Sequence, residues 1–441
     1  TFSISYFQML SQHWSAHYDS DWFNIYNILL LKSGYVQEFY DHPGFTLFFI
    51  NSIFLQIYDL FDQNLYFNLD EINNALNLDH YFEKVFYIAR LTNALFHCGS
   101  IYLIHLILSK LTSNKIINIL LVFAFVFSNY FFDNLFQIRP EIISVFFILY
   151  SFYLIIIFIE KKDSLHFIFF SGFLMGLAFI SKIQIIFFIF FIILIIPLLK
   201  YFPSVKNDIK NNQEFRSKTF KILLYLYLII SLAYILIEYF IIYTHERYID
   251  HPKIDLYGFI FFNFFYFFYL KVLSNKNKLE FKFNIICYII FFLGLATTVL
   301  FLLFVNITKI GPVNHNLYFR FLNPYYFLSN RSFDGSTLDL LINFFNLRVL
   351  IEKKLFIFSI LLFVPFLKEI YKLKFFYLII AFGLLLITIF SNNLRYAPLY
   401  EIYTFIAFLF FYALSDRKNL FYFRGFLTSL ILILSISNTF Y

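Results

Sequence analysis

Long apolar runs separated by short polar connections set the pattern of this chain. The runs cover approximately 43–60, 85–109, 116–132, 142–159, 165–181, 183–199, 220–243, 256–270, 284–305, 355–368, 375–391, 399–414 and 424–438. A helix needs roughly 17–25 apolar residues to cross a bilayer, and most of these runs approach or exceed that length. The pattern predicts an all-α, polytopic transmembrane protein with about 12–13 membrane helices, organised as one domain over 1–441. Lys and Arg concentrate in alternate connections: 110–115, 160–162, 200–221, 271–282, 368–374 and 416–418. Positively charged loops stay in the cytoplasm, so 133–141, 244–255, 306–354 and 391–398 are expected to face outward. The 306–354 loop is the largest external piece.

Parity breaks near the start. Segment 61–84 is acidic and suits the outside, yet 43–60 looks long enough to cross. If 17–42 and 61–84 are both external, run 43–60 is re-entrant or interfacial. If it crosses, either the acidic segment is cytoplasmic or a later run fails to span. Placing 17–42 on the same side as 133–141 is preferred, because their chemistry is complementary.

Composition agrees with the pattern. The 441 residues are 61% hydrophobic and 14% charged, with mean hydropathy +0.74. A soluble domain carries roughly 25% charged residues, so a soluble fold is excluded. The 71 Phe and 35 Tyr accompany abundant Ile, Asn and Lys, a compositional bias that removes weight from any argument based on aromatics. Net charge is +7 and reads as retained loop cations, with no nucleic-acid signature. Cys98 and Cys287 each sit within apolar runs, which argues against a disulfide framework or a thiolate metal site. The chain opens at Thr1 without Met or a charged leader, so an upstream segment, most of a first membrane helix, is expected. Gly172 and Gly176 form a Gly-x-x-x-Gly pair, a helix-packing signal.

Candidate chemistry concentrates in the first external loop, 10–42. Residues 21–33 are expected to form a juxtamembrane amphipathic helix along the membrane surface, with Trp22, Phe23, Tyr26 and Leu30 on one side and Asn24 and Asn27 toward the other. Gly34 fits its C-terminal cap. Asp19 and Asp21 stand at its start, where either serves as an N-cap or as a general base held at the interface. Asp41-His42-Pro43-Gly44 closes the loop, with Pro43 suited to a first helical turn. With His13 and His17 the loop carries three His, alongside the carboxylates Asp19, Asp21 and Asp41. Oxygen ligands suit Mg²⁺ or Mn²⁺, so a divalent cation is a candidate cofactor.

These residues resemble the C-type superfamily of integral-membrane glycosyltransferases, near its protein O-mannosyltransferase and aminoarabinose transferase branch. The family pattern has an acid opening the first outer loop, a Gly some fifteen residues on, then an acid with His or Lys and Pro-Pro. Asp19, Gly34 and Asp41-His42-Pro43-Gly44 resemble it, with Asp19-Ser20-Asp21 in place of Asp-Glu and Pro-Gly in place of Pro-Pro. Arg90-Leu91-Thr92-Asn93-Ala94-Leu95 is similar to a family Arg-x-x-Asn-x-Leu at a helix start. Arg139-Pro140-Glu141 resembles the second-loop motif, Gly176-Leu177-Ala178 through Lys182 resembles Gly-Leu-Ala-x-x-x-Lys, and Arg395-Tyr396 with Pro398 resembles a late Arg-Tyr-x-x-Pro.

The resemblance implies transfer of a sugar from a polyprenyl-phosphate donor to a lipid, glycan or protein acceptor, at the outer face of a bacterial plasma membrane. It implies Asp19 or Asp21 as base, with Asp41 and Glu141 assisting or holding a metal. Arg139, Lys182 and Arg395 would neutralise the leaving phosphate, with His42 and Tyr396 contacting substrate. Each cation also has a plainer reading: Lys182 as a turn marker, Arg395 as an interface anchor, Arg90 as structural. His245, Glu246, Arg247, His251, Arg320 and Arg331 are outward-loop candidates for substrate contacts. Sequons stand at Asn306-Ile-Thr308 and Asn330-Arg-Ser332. The competing classes are a transporter or flippase of lipid-linked sugars, and a structural membrane partner. Transporters place ionisable groups at mid-membrane and often have related halves, and this chain has neither pattern.

Overall fold

The computed structural model describes residues 19–35, 44–61, 67–72, 77–111, 115–126, 137–161, 165–182 and 278–307, with short pieces between 185 and 271. Among them every long element is helical and none is a strand. In chain order these are α1 (Asp19–Lys32), α2 (Phe45–Phe61), α3 (Leu69–Ile72), α4 (Leu78–Leu111), α5 (Lys115–Val126), α6 (Pro140–Lys161), α7 (His166–Ser181) and α8 (Lys278–Ile307). Stretches Leu78–Lys110, Pro140–Phe158 and Phe281–Thr298 are long and apolar enough to cross a membrane. The protein is an all-α integral membrane protein.

Helices α4, α6, α7 and α8 pack in that lateral order. The closest pairing is α7 on α8, and glycine permits it. A Cβ on Gly172 would run into the Phe291 carbonyl, one on Gly176 into the Thr298 hydroxyl, and one on Gly294 into the Phe169 carbonyl. Between lipid-immersed helices, where apolar burial gives little drive, backbone proximity of this kind supplies the association energy. Ser151 on α6 adds a hydroxyl bond at 2.8 Å to Ser171 on α7. Phe158, near the end of α6, stacks on Phe283, near the start of α8. Helices α7 and α8 therefore run in the same direction, as the charge pattern of the loops requires.

Helix α4 begins earlier than hydropathy indicates, at Leu78 rather than near residue 85. Its 34 residues reach about 50 Å at 1.5 Å per residue, against roughly 30 Å of hydrocarbon. The polar first turns, Leu78 to Lys84, project beyond the crossing. Trp22 of α1 packs edge-on against Phe82 and Phe86 of this projection, with centroids at 5.1 and 5.0 Å. Such ring pairs add about 0.5–1.5 kcal/mol each beyond area burial.

Helix α2 begins and ends on one side. Thr46 donates to the Leu177 carbonyl at 2.8 Å, near the Lys182 end of α7. At the other end Asp59 pairs with Lys32 and accepts from the Phe67 amide. Ser33 accepts from the Leu69 amide at 2.9 Å, and Tyr81 of α4 reaches the Asn68 carbonyl. Both flanks of run 43–60 thus join the layer formed by α1 and the projecting start of α4. At 17 residues, about 25 Å, the helix also falls short of the hydrocarbon thickness.

Two readings of α1 are resolved differently. Gly34 caps it as expected: φ is +83°, the Tyr35 amide bonds the Leu30 carbonyl, and the Gly34 amide bonds the Leu31 carbonyl. That is the Schellman arrangement. The amphipathic surface helix is corrected. Ile25, Ile28, Leu29, Leu30 and Leu31 are buried, and so are Asn24 and Asn27. Helix α1 lies between α2 and α4 rather than flat on lipid, because its asparagines find partners within the protein.

Candidate functional site

The first two turns of α1 carry Asp21 and Asn24, three residues apart and so on one face. That face meets the chain just before α6. The Asp21 carboxylate accepts the Ile138 amide at 3.2 Å, and the Asn24 amide donates to the Ile138 carbonyl at 2.6 Å. Asn93 of α4 donates to the neighbouring Gln137 carbonyl at 2.8 Å. This stretch needs such help. A residue before proline is pushed out of helical conformation, so helix bonds cannot serve these peptide groups, and buried ones must pair elsewhere. Pro140 then opens α6 at a position that tolerates its missing amide.

Charge gathers around this junction. Arg139 bonds Gln137 through Nε at 2.6 Å and acts electrostatically on both Asp21 and Glu141. Arg90 acts on Asp21 and lies 5.5 Å over the Phe86 ring. Glu141, in the first turn of α6, forms an ion pair with Lys182, and both side chains are nearly buried. Lys182 can reach because α7 stops there: its backbone is extended, φ −152° and ψ 113°, while its amide still bonds the Ala178 and Phe179 carbonyls. Among the described residues, two carboxylates and three cations therefore gather at this junction.

Burial pushes the Asp21 carboxyl up from 3.8 to about 6, against the opposing pull of Arg139, the Ile138 amide and Arg90. The folded state holds the proton more tightly than the unfolded chain. The stability this confers is complete below pH 3.8 and is lost as pH rises through about 6. The change amounts to about 3 kcal/mol, at roughly 1.4 kcal/mol per pKa unit. Thermal melts from pH 3.5 to 7.5 are expected to show this slope in the wild type and not in Asp21→Asn; equal slopes would refute the assignment.

Of the residues singled out by sequence, Asp21, Arg139, Glu141 and Lys182 come together, and Asp19 opens α1 two residues before Asp21. Asp41, His42, Arg395 and Tyr396 lie outside the described residues, as do His13, His17, His245, Glu246, Arg247, His251, Arg320 and Arg331. Among the described residues no group of three or more His, Cys, Asp or Glu is placed to hold a metal. The pairing of Asp41 with Glu141 around Mg²⁺ or Mn²⁺ involves a residue beyond them. Arg90 is not at a helix start but three turns inside α4, beside Asp21. Asn93 enters the sequence reading only as a motif position and Asn24 only as part of the polar side of α1, neither with a role at the site. The available signal was their spacing, three residues after Asp21 and three after Arg90.

Residues 81–210 match the family model described as dolichyl-phosphate-mannose-protein mannosyltransferase. Over this stretch, less than a third of the 441 residues, the chain is similar to that family of membrane glycosyltransferases. It contains Arg90, Asn93, Arg139, Glu141 and Lys182, and α1 with Asp21 precedes it. No curated protein and no solved structure gives a match to the chain.

Proposed function

We propose that the protein transfers a sugar from a polyprenyl-phosphate donor to an acceptor hydroxyl at the outer face of the membrane. The observation that carries this reading is the meeting of Asp21 with Glu141, Arg139 and Lys182 at one end of the helices. Asp21 comes from segment 17–42, Arg139 and Glu141 from 133–141 and its boundary with α6, and Lys182 from the end of α7; the loop charges favour the outer side for 133–141. A polyprenyl tail partitions into lipid at about 0.8 kcal/mol per buried methylene, which holds the sugar–phosphate bond at the same depth.

In the reaction the acidic pair at the start of α1, Asp19 and Asp21, provides the base. It takes the acceptor's hydroxyl proton, and the oxygen attacks the anomeric carbon. The bond from that carbon to the phosphate oxygen breaks as oxocarbenium character develops. Polyprenyl phosphate departs with the bonding electrons, its charge met by Arg139 and Lys182. Glu141 holds Lys182 in place. The clustering of charge at one end, rather than at mid-membrane, favours transfer over transport.

The test incubates the purified full chain with a panel of polyprenyl-phospho-sugars and measures free polyprenyl phosphate. Release from at least one donor is expected. No release from any donor, or passage of intact donor across vesicles that contain the protein, would reject sugar transfer.

A further inference from the structure

We infer that Asp21, Asn24 and Asn93 are positioning residues: they clamp the Gln137–Ile138 backbone and through it aim Arg139 at the donor phosphate and set Glu141 against Lys182. This division of the acidic pair rests on the sugar-transfer reading, and it leaves Asp19 as the proton acceptor.

The geometry is specific. Ile138 has both backbone groups held by one helix, its amide by Asp21 and its carbonyl by Asn24. The adjacent carbonyl, on Gln137, is held from a different helix by Asn93. All three side chains are buried, Asp21 with no exposure, so water cannot readily replace any of these bonds. The clamp sits one residue before Arg139 and three before Glu141. A rotation of either clamped peptide would swing the Arg139 guanidinium and move the first turn of α6, which bears the partner of Lys182. Asp21 lies within this arrangement, accepting a backbone amide through Oδ1. An acceptor oxygen performs that task whether or not it is charged, and asparagine has one in the same place. The role is thus separable from proton transfer, which asparagine cannot perform.

Four single variants of the full chain decide it: Asp21→Asn, Asp21→Ala, Asn24→Ala and Asn93→Ala. Hydrogen–deuterium exchange in peptides spanning Gln137–Arg139 reads the clamp without any substrate. Release of polyprenyl phosphate, with KM for the donor separated from kcat, reads its consequence. The three alanine variants are expected to exchange about tenfold faster and to lose about tenfold or more in kcat, with KM within about threefold, the scale of one buried hydrogen bond. Asp21→Asn is expected to exchange as slowly as the wild type and to keep more than about a tenth of its kcat, because its oxygen still satisfies the amide.

Slow exchange in Asp21→Asn with turnover abolished would make Asp21 the base and overturn the assignment. Slow exchange and full turnover in both asparagine-to-alanine variants would overturn it too. Asp21→Asn is isosteric, so its result stands even where an alanine variant fails to fold. If the wild type cleaves no donor, the sugar-transfer reading fails by itself. The exchange rates then decide the clamp alone.

Discussion

Replacing Asp19 and Asp21 together by Asn is expected to lower sugar transfer by at least about 10³-fold while the protein still folds. Removing a positioned general base costs about 10²–10⁴ in rate, and the double variant removes every carboxylate at the start of α1. Folding survives for a physical reason. The asparagine that replaces Asp21 offers the Ile138 amide the same acceptor oxygen, and Asn remains a favoured residue at a helix start. At neutral pH stability is expected to hold or rise, because burial opposes the charge on Asp21 that the substitution removes. Polyprenyl phosphate release and a melt at pH 7.5 check both halves. Retained turnover in the double variant would reject the base assignment.

How much of this could be read from sequence depends on the range of each interaction. The Gly34 cap was legible, since it follows from local backbone geometry alone. The Gly172–Gly176 pair announced a close helix contact but not its partner. That partner, α8, lies more than a hundred residues later, and Gly294 supplies the matching gap. The surroundings of α1 were misread for the same reason. Its aromatic and polar positions resemble an interfacial helix until the partners of Asn24 appear, 114 residues away in the Ile138 carbonyl. Run 43–60 is apolar enough to cross, and only its two anchors, Leu177 at one end and Lys32 at the other, return it to a single side. At the site, Arg139, Glu141 and Lys182 were visible because charge in an apolar chain is conspicuous. Asn93 was legible as a motif position, but its role was not, because a neutral amide in a helix has no meaning until its acceptor, the Gln137 carbonyl, is known.

The ion pair between Glu141 and Lys182 separates stability from activity, and a double-mutant cycle exposes the difference. Lys182→Met alone leaves a buried carboxylate without its principal partner, and breaking a buried pair in this way costs about 3–5 kcal/mol. Arg139 acts on Glu141 as well, which places the expected loss toward the lower end. Glu141→Gln alone strands the ammonium of Lys182 and is expected to cost a similar amount. Combining the two removes both desolvated charges, so much of the lost stability should return, as a coupling energy of at least about 1 kcal/mol in thermal or denaturant melts. Transfer should not return. The methionine cannot meet the phosphate's charge, so polyprenyl phosphate release from the double variant is expected to stay at least about 10²-fold below the wild type. If the losses in stability simply add, the two side chains do not act as a pair. If the double variant turns over like the wild type, Lys182 serves the fold alone, and the cation that meets the leaving phosphate lies elsewhere.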